Sequence, residues 1–214
     1  MPNSSGLRER KKRQTRAALS LATIGLCLER GWDNVTIEDI AAAANVSVRT
    51  FRNYFAGKAE AIAAGHVERT LRIADDIRAA PAGESLWTSI VHAVQANFAP
   101  AGSADAGEGE FGRWRDGVRL LFAEPALQGE LLKANASAQD ELARAVADRT
   151  GTDPEHDIYP KLVAAVIGAG STVAIEHCLH AESPTPLGPV LREVFGRLAA
   201  GLPLPTESGE NSGH

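Results

Sequence analysis

Apolar residues recur along this chain at three- and four-residue intervals, the spacing that gathers them on one face of a helix. β-branched runs are short, so the pattern predicts an all-α fold of about nine helices and no sheet. The first helix fits residues 7–30, with Leu19, Ala22, Thr23, Leu26 and Cys27 on its inner side and Gly31 as its stop. Thr36 reads as an N-cap with Asp39 in capping-box position, which starts a second helix that runs from Ile37 to about Ala44. Asn45 tolerates the left-handed turn that follows. Ser47 caps a third helix, expected over 48–55. Longer helices are expected over 58–79, 84–98, 110–123, 125–149, 155–180 and 187–201. The stretch 99–109 reads as an Ala/Gly/Pro-rich loop, and 202–214 as a disordered tail.

The second and third helices, joined by a tight turn, make a helix-turn-helix. Val35, Ile37, Ile40, Ala41 and Ala44 form the inner stripe of one, and Val46, Val48, Phe51 and Phe55 pack the other against it. Subtracting these leaves Arg49, Thr50, Arg52, Asn53 and Tyr54 on the outer side. Arginine can grip guanine with two hydrogen bonds and asparagine can grip adenine likewise, while Thr50 and Tyr54 can reach phosphates or a thymine methyl. Thr36, Ser47 and Lys58 stand at helix N-termini, where free N–H groups favour phosphate oxygens. The run RERKKRQTR (8–16), Arg13 within it, supplies phosphate attraction or an arm into a minor groove. A polar helix face is more often simply solvated. Here a capped helix, a tight turn, a capped polar helix and a basic arm occur together.

Charge supports the same division. The chain of 214 residues has a net charge of −5, which taken alone argues against nucleic acid. Residues 1–58 nevertheless hold ten basic and five acidic side chains, or +5, and the remaining twelve and twenty-two make −10. The expected organisation is a DNA-binding module over 1–58, a helical ligand-binding and dimerisation domain over 59–201, and the tail. Hydrophobic residues at 44% and charged residues at 23% fit a globular chain. Two cysteines, Cys27 and Cys178, are too few for a disulfide framework and fit a reducing cytoplasm. No apolar core follows the charged start, and no uninterrupted apolar window of about 18 residues occurs, so neither a signal peptide nor a membrane partner is expected.

The string TIEDIAAAANVSVRTFRNYFAGKAE resembles the DNA-binding segment of the tetracycline-repressor (TetR) family. Thr36, Ile40-Ala41, Ala44, Val46-Ser47, Thr50-Phe51, Tyr54-Phe55 and Lys58 carry the resemblance, which covers roughly residues 8–60. Asn45 stands where glycine is common and Arg49 where a small residue is frequent. The resemblance implies a homodimer whose modules read a palindromic operator and whose bodies bind a small-molecule effector. The opening LRERKKRQTRAALSLA and the string RTFRNYF also resemble a subgroup with acyl-CoA-like ligands.

In the body, Ala164, Ala165, Gly168, Ala169, Ser171, Ala174 and Ile175 form a small-residue face. Joined with Leu187, Val190, Leu191, Val194, Phe195 and Leu198, it suggests either a four-helix dimer interface or packing inside one subunit. The family resemblance favours the dimer. Gly168-x-Gly170 has no third glycine and no preceding strand, so it is no dinucleotide fingerprint. Trp87, Ile90, Val91, Val94 and Phe98 form one apolar stripe, and Trp114, Val118, Leu121 and Phe122 the next; they are either plain core or pocket wall. Arg115 and Arg119 are four apart and suit an anionic ligand head, unless they are solvated or paired with Glu110 or Asp116. His177, Cys178 and His180 offer too few ligands for a structural metal. No paired carboxylates or nucleophile elbow occur at useful spacing, so no catalytic residue, cofactor or metal is expected. The reading is a ligand-responsive repressor; its rival is a constitutive or architectural DNA-binding protein.

Overall fold

The computed structural model describes residues 4–98, 119, 123–181 and 185–203. Eight helices and no strand occur among the described residues: α1 (Ser4–Arg30), α2 (Ile37–Ala43), α3 (Val48–Arg52), α4 (Lys58–Ala79), α5 (Leu86–Phe98), α6 (Pro125–Thr150), α7 (Ile158–His180) and α8 (Leu187–Ala199). Nearly all of the helix expected over 110–123, the loop over 99–109 and nearly all of the tail lie outside the described residues.

Local chemistry sets the first helix boundaries. Gly31 ends α1 at φ +83°, a conformation that side chains with a Cβ rarely adopt. Thr36 and Asp39 form the capping box of α2, with the Asp39 amide 3.1 Å from Thr36 Oγ1 and the Thr36 amide 2.9 Å from Asp39 Oδ2. The Thr36 hydroxyl, which donates to Asp39 Oδ2, and then the Thr36 amide hold the Asp39 carboxyl below the usual carboxylate range. Asn45 turns the chain at φ 53°, and the Val46 amide donates back to the Ala41 carbonyl at 2.9 Å. Ser47 then caps α3 by accepting from the Thr50 amide at 3.1 Å. α3 is shorter than the expected 48–55 because its end tightens: the Tyr54 amide reaches the Phe51 carbonyl at 2.9 Å, a three-residue return.

Two hydrophobic cores result. Leu19, Cys27, Val35, Ile40, Phe51 and Phe55 fill the one beneath α1–α3, and Ala61, Ile62 and Ala64 of α4 close it. Leu127 from the start of α6 is also buried there. Ile73, Ala74 and Ile77 of α4 enter the second core, beside Ile90 and Val94 of α5, Leu142 and Val146 of α6, Ile167 of α7 and Phe195 of α8.

Polar clamps fix α4 between the two. At its start, Lys58 Nζ donates to the Trp32 carbonyl at 2.6 Å and the Val35 carbonyl at 2.8 Å, and lies 4.6 Å from the centroid of the Trp32 ring. Midway, His66 Nε2 meets Asn135 Oδ1 of α6 at 2.6 Å; burial pushes this imidazole below its ordinary range. Near the end, Arg78 reaches Glu141 at 2.7 Å and Asp148 at 2.9 Å, both on α6. Arg149 of α6 holds the following turn, donating to the Ala80 and Glu84 carbonyls at 2.7 and 2.8 Å.

The α7–α8 contact bears on the small-residue face. Leu187, Val190, Leu191 and Phe195 are buried inside the subunit, Ala164 and Ala174 face the same core, and Ser171 is buried beside them on α7. Gly170 packs tightly there: a Cβ would lie 3.0 Å from Leu198 Cδ1 and 3.3 Å from Phe195 Cζ, so those side chains would have to give by a few tenths of an ångström. The small-residue face is therefore divided: Ala164, Ser171 and Ala174 are buried within the subunit, Gly168 is half-buried, and Ala165 and Ala169 are exposed. α7 also exposes Ile158, Leu162 and Val173, at 80, 55 and 54%, and Tyr159 at 42%. With apolar residues on both sides, α7 reaches a mean hydropathy of 1.7 over its most apolar stretch and is long and apolar enough to cross a membrane by length and composition alone, as the core helix of a soluble protein can be.

Replacing Lys58 by methionine keeps the aliphatic stem but leaves two carbonyls without their donor. Urea denaturation is expected to show a loss of about 1–3 kcal/mol. An unchanged midpoint would mean that the ammonium does not brace α4.

Candidate nucleic-acid interface

α3 presents two unlike sides. Phe51 is fully buried, and the Phe55 ring beyond it lies 5.7 Å away at 56°. These rings anchor the helix against α1, α2 and the first turns of α4. On the other side Arg49, Arg52 and Asn53 are exposed, and Thr50 and Tyr54 are half-buried. These candidate side chains thus stand on a short element whose opposite face is locked in a core, an arrangement that would limit the entropy lost on binding.

The remaining sequence candidates surround this face at different depths. Thr36 and Ser47 are exposed at the starts of α2 and α3, but both hydroxyls already serve their own caps. Arg13 is exposed on α1 together with Lys11 and Lys12. Lys58 is less free than its sequence position suggested, because two of its three N–H donors point at Trp32 and Val35. Only the third donor and the open turn of backbone N–H groups at the start of α4 remain for a phosphate. The sequence could not show this, because the acceptors lie 26 and 23 residues away.

The body candidates are placed only in part. Trp87 and Val91 are half-buried against the second core, and Phe98 is buried in it. Arg119 is exposed and donates to the Leu179 carbonyl at the end of α7. Trp114, Arg115, Val118 and Phe122 lie outside the described residues. His92 pairs with Glu84 at 2.8 Å. Cys27 and Cys178 are buried free thiols, and burial pushes both up, away from a reactive thiolate. His180 Nδ1 donates to the Glu176 carbonyl at 2.8 Å, and no group of three metal-ligating side chains occurs among the described residues.

Sequence reasoning missed one group. Arg69 lies with its guanidinium 4.8 Å from the centroid of the Phe98 ring, and it shares a cleft with Arg16 and Arg72. Arg69 and Arg72 are three apart on one helix, which was visible, but Arg16 comes from another helix and joins them only in the fold.

Comparison with known proteins agrees with this geometry. The family model for bacterial regulatory proteins of the tetR family matches residues 21–64, and that for the MftR C-terminal domain matches 84–203. The HTH-type transcriptional regulator TcmR of Streptomyces glaucescens is 33% identical over 198 residues, covering 85% of this chain and 81% of its own. MftR of Mycobacterium tuberculosis, a regulator assigned to mycofactocin biosynthesis, is 29% identical over 94% of this chain and 98% of its own. Among solved structures, a TetR-family regulator from Syntrophomonas wolfei shares the fold at a TM-score of 0.61 and 17% identity, covering 91% of this chain and 100% of that one. The fatty acid degradation regulator FadR from Bacillus halodurans does so at 0.57 and 18%, covering 88% and 96%. With a helix-turn-helix braced in this way and relatives matched along most of its length, the chain belongs to the TetR family of DNA-binding transcriptional regulators.

Proposed function

We propose that this chain is a ligand-responsive repressor that holds a palindromic operator as a homodimer and leaves it when a small hydrophobic effector enters the body. The observation that carries the reading is the exposure of Arg49, Arg52 and Asn53 on a helix whose other side is fully buried. Arg49 and Asn53 are the base readers, Arg52, Thr50 and Tyr54 flank them, and Arg13 and the start of α4 meet phosphates. The module is residues 1–58 and the body 59–201.

A dimer follows from the DNA as much as from the protein. Two recognition helices must stand about 34–36 Å apart to enter successive major grooves. The stripe of Ile158, Leu162 and Val173 on α7 is the face that a second copy would cover, in a two-fold arrangement where each residue meets its own counterpart's neighbourhood. An effector that favours a different separation lowers operator affinity. Moving the operator from 99% occupied to 99% free requires an effector preference of about 10⁴-fold for the released state. α4 suits the transmission, since it belongs to both cores. The finer reading of the effector as acyl-CoA-like rests on the sequence resemblance and on the aromatic residues Trp87 and Phe98 in the body wall. DNA binding places the protein in the cytoplasm.

Fluorescence anisotropy on a selected operator tests the assignment. Arg49→Ala and Asn53→Ala are each expected to lose about 1–3 kcal/mol on the operator and to relax its base preference. Equal losses on unrelated DNA would remove them as base readers. Leu162→Arg is expected to yield a monomer by sedimentation and at least about tenfold weaker operator binding. A variant that stays dimeric would move the interface elsewhere. Acyl-CoAs added to the complex are expected to release DNA at concentrations that fall with chain length; short polar acids acting equally well would exclude that ligand class.

A further inference from the structure

The joint between the DNA-binding module and α4 contains a cavity of about 120 Å³. Its walls are α1 and α4, and its charged lining is Arg16, Arg69 and Arg72 against the single carboxylate Glu68. Glu68 is 3.9 Å from Arg72, which also donates to Asn97 at 3.2 Å. Arg16 and Arg69 have no carboxylate partner among the described residues. Each guanidinium lies 4.8 Å from the centroid of a ring, Arg16 on Phe55 and Arg69 on Phe98. A ring under a guanidinium holds it in place without using the in-plane N–H donors. Those donors remain available along the edge.

A second observation concerns Ser20, which lines the same cavity. It is 3% exposed, and its hydroxyl has no hydrogen-bond partner. Gly65 faces it across the joint, where a Cβ would lie 2.6 Å from Ser20 Oγ. The glycine thus keeps open the space in front of an unsatisfied buried hydroxyl. Buried polar groups in folded proteins nearly always have a partner, and one without it calls for an explanation, of which a bound ion is one.

We propose that this cleft binds a phosphoryl-bearing small molecule, held by Arg16, Arg69, Arg72 and the Ser20 hydroxyl, and that the bound anion ties the DNA-binding module to α4. Three guanidiniums against one carboxylate leave two positive charges, which match a dianionic phosphoryl group better than a carboxylate. The depth of Ser20 favours a small molecule over a duplex backbone, which could not follow it inward. Leu21 and Ala17 add an apolar lip that suits an organic substituent on the phosphate. Burial, and the neighbouring Arg72, lower the pKa of Arg69 from its ordinary value, consistent with a cation that lacks its counterion. The proposal deepens the repressor reading by adding a ligand at the joint through which module and body move.

Isothermal titration of the full chain without DNA, in chloride buffer, tests the site with inorganic phosphate and with n-butyl phosphate. The expected result is saturable binding of one anion per chain. Tighter binding of n-butyl phosphate would assign the site to the phosphoryl head of a larger molecule, and equal or tighter binding of inorganic phosphate to the free ion. Arg69→Gln and Ser20→Ala are each expected to weaken binding at least about tenfold while the melting temperature stays unchanged. Ser20→Ala removes only a hydroxyl, so it tests the site even where Arg69→Gln fails to fold. No saturation by about 10 mM anion, or wild-type binding by Ser20→Ala, would overturn the proposal. So would an equal loss in Arg52→Ala, which would place the anion on the DNA-reading face. Because no DNA is present, failure here leaves the operator reading intact, and loss of operator reading leaves this titration unaffected.

Discussion

α4 takes part in two hydrophobic cores at once, and the rest of the structure depends on this. Ala61, Ile62 and Ala64 are buried with α1–α3, and Ile73, Ala74 and Ile77 with α5–α8. A continuous helix rises about 1.5 Å per residue, so the two sets are held at a fixed separation and rotation. A helix that is amphipathic toward one core would leave the module free to swing. α4 is gripped at both ends, and the Lys58 bonds at its start and the Arg78 pairs near its end add direction to that grip. Leu127 of α6 reaches the module's core as well, so the body touches the module at two places.

The same constraint explains how a five-residue helix can serve as a reading head. α3 is too short to be stable alone. Phe51 and Phe55 tie it to α1, α2 and α4, and the capped turns on either side fix its entry and exit. What is left over, Arg49, Arg52 and Asn53, can then meet a groove without first being ordered. The acidic body contributes no charge attraction toward DNA, and its role is to set where the head sits. Its own apolar excess is divided between an inner face of α7, packed on α8, and the outer residues Ile158, Leu162 and Val173.

Local signals were read well from the sequence. The Thr36–Asp39 capping box, the left-handed Asn45, the Ser47 cap and the bounds of α4 all depend on residues within a few positions of one another. Long-range pairings were not readable in the same way. Lys58, a phosphate candidate in the sequence, also donates to two carbonyls of the preceding loop, a pairing that no local signal announces. The small residues of α7 leave both an interface and internal packing open in the sequence, because smallness shows that something packs closely without showing which helix does. The α1–α4 cleft needed Arg16, Ser20, Gly65 and Arg69 to be brought together, and no periodicity within one helix connects them.

Amide hydrogen exchange along α4, measured in the full-length protein, tests the central claim most directly. If α4 is one rigid element shared by both cores, amides from Ala61 to Ile77 will exchange slowly and in a single cooperative opening. A fast-exchanging stretch near residues 65–72, with Ala61–Ala64 opening alongside α1–α3 and Ile73–Ile77 opening alongside α5–α8, would contradict it.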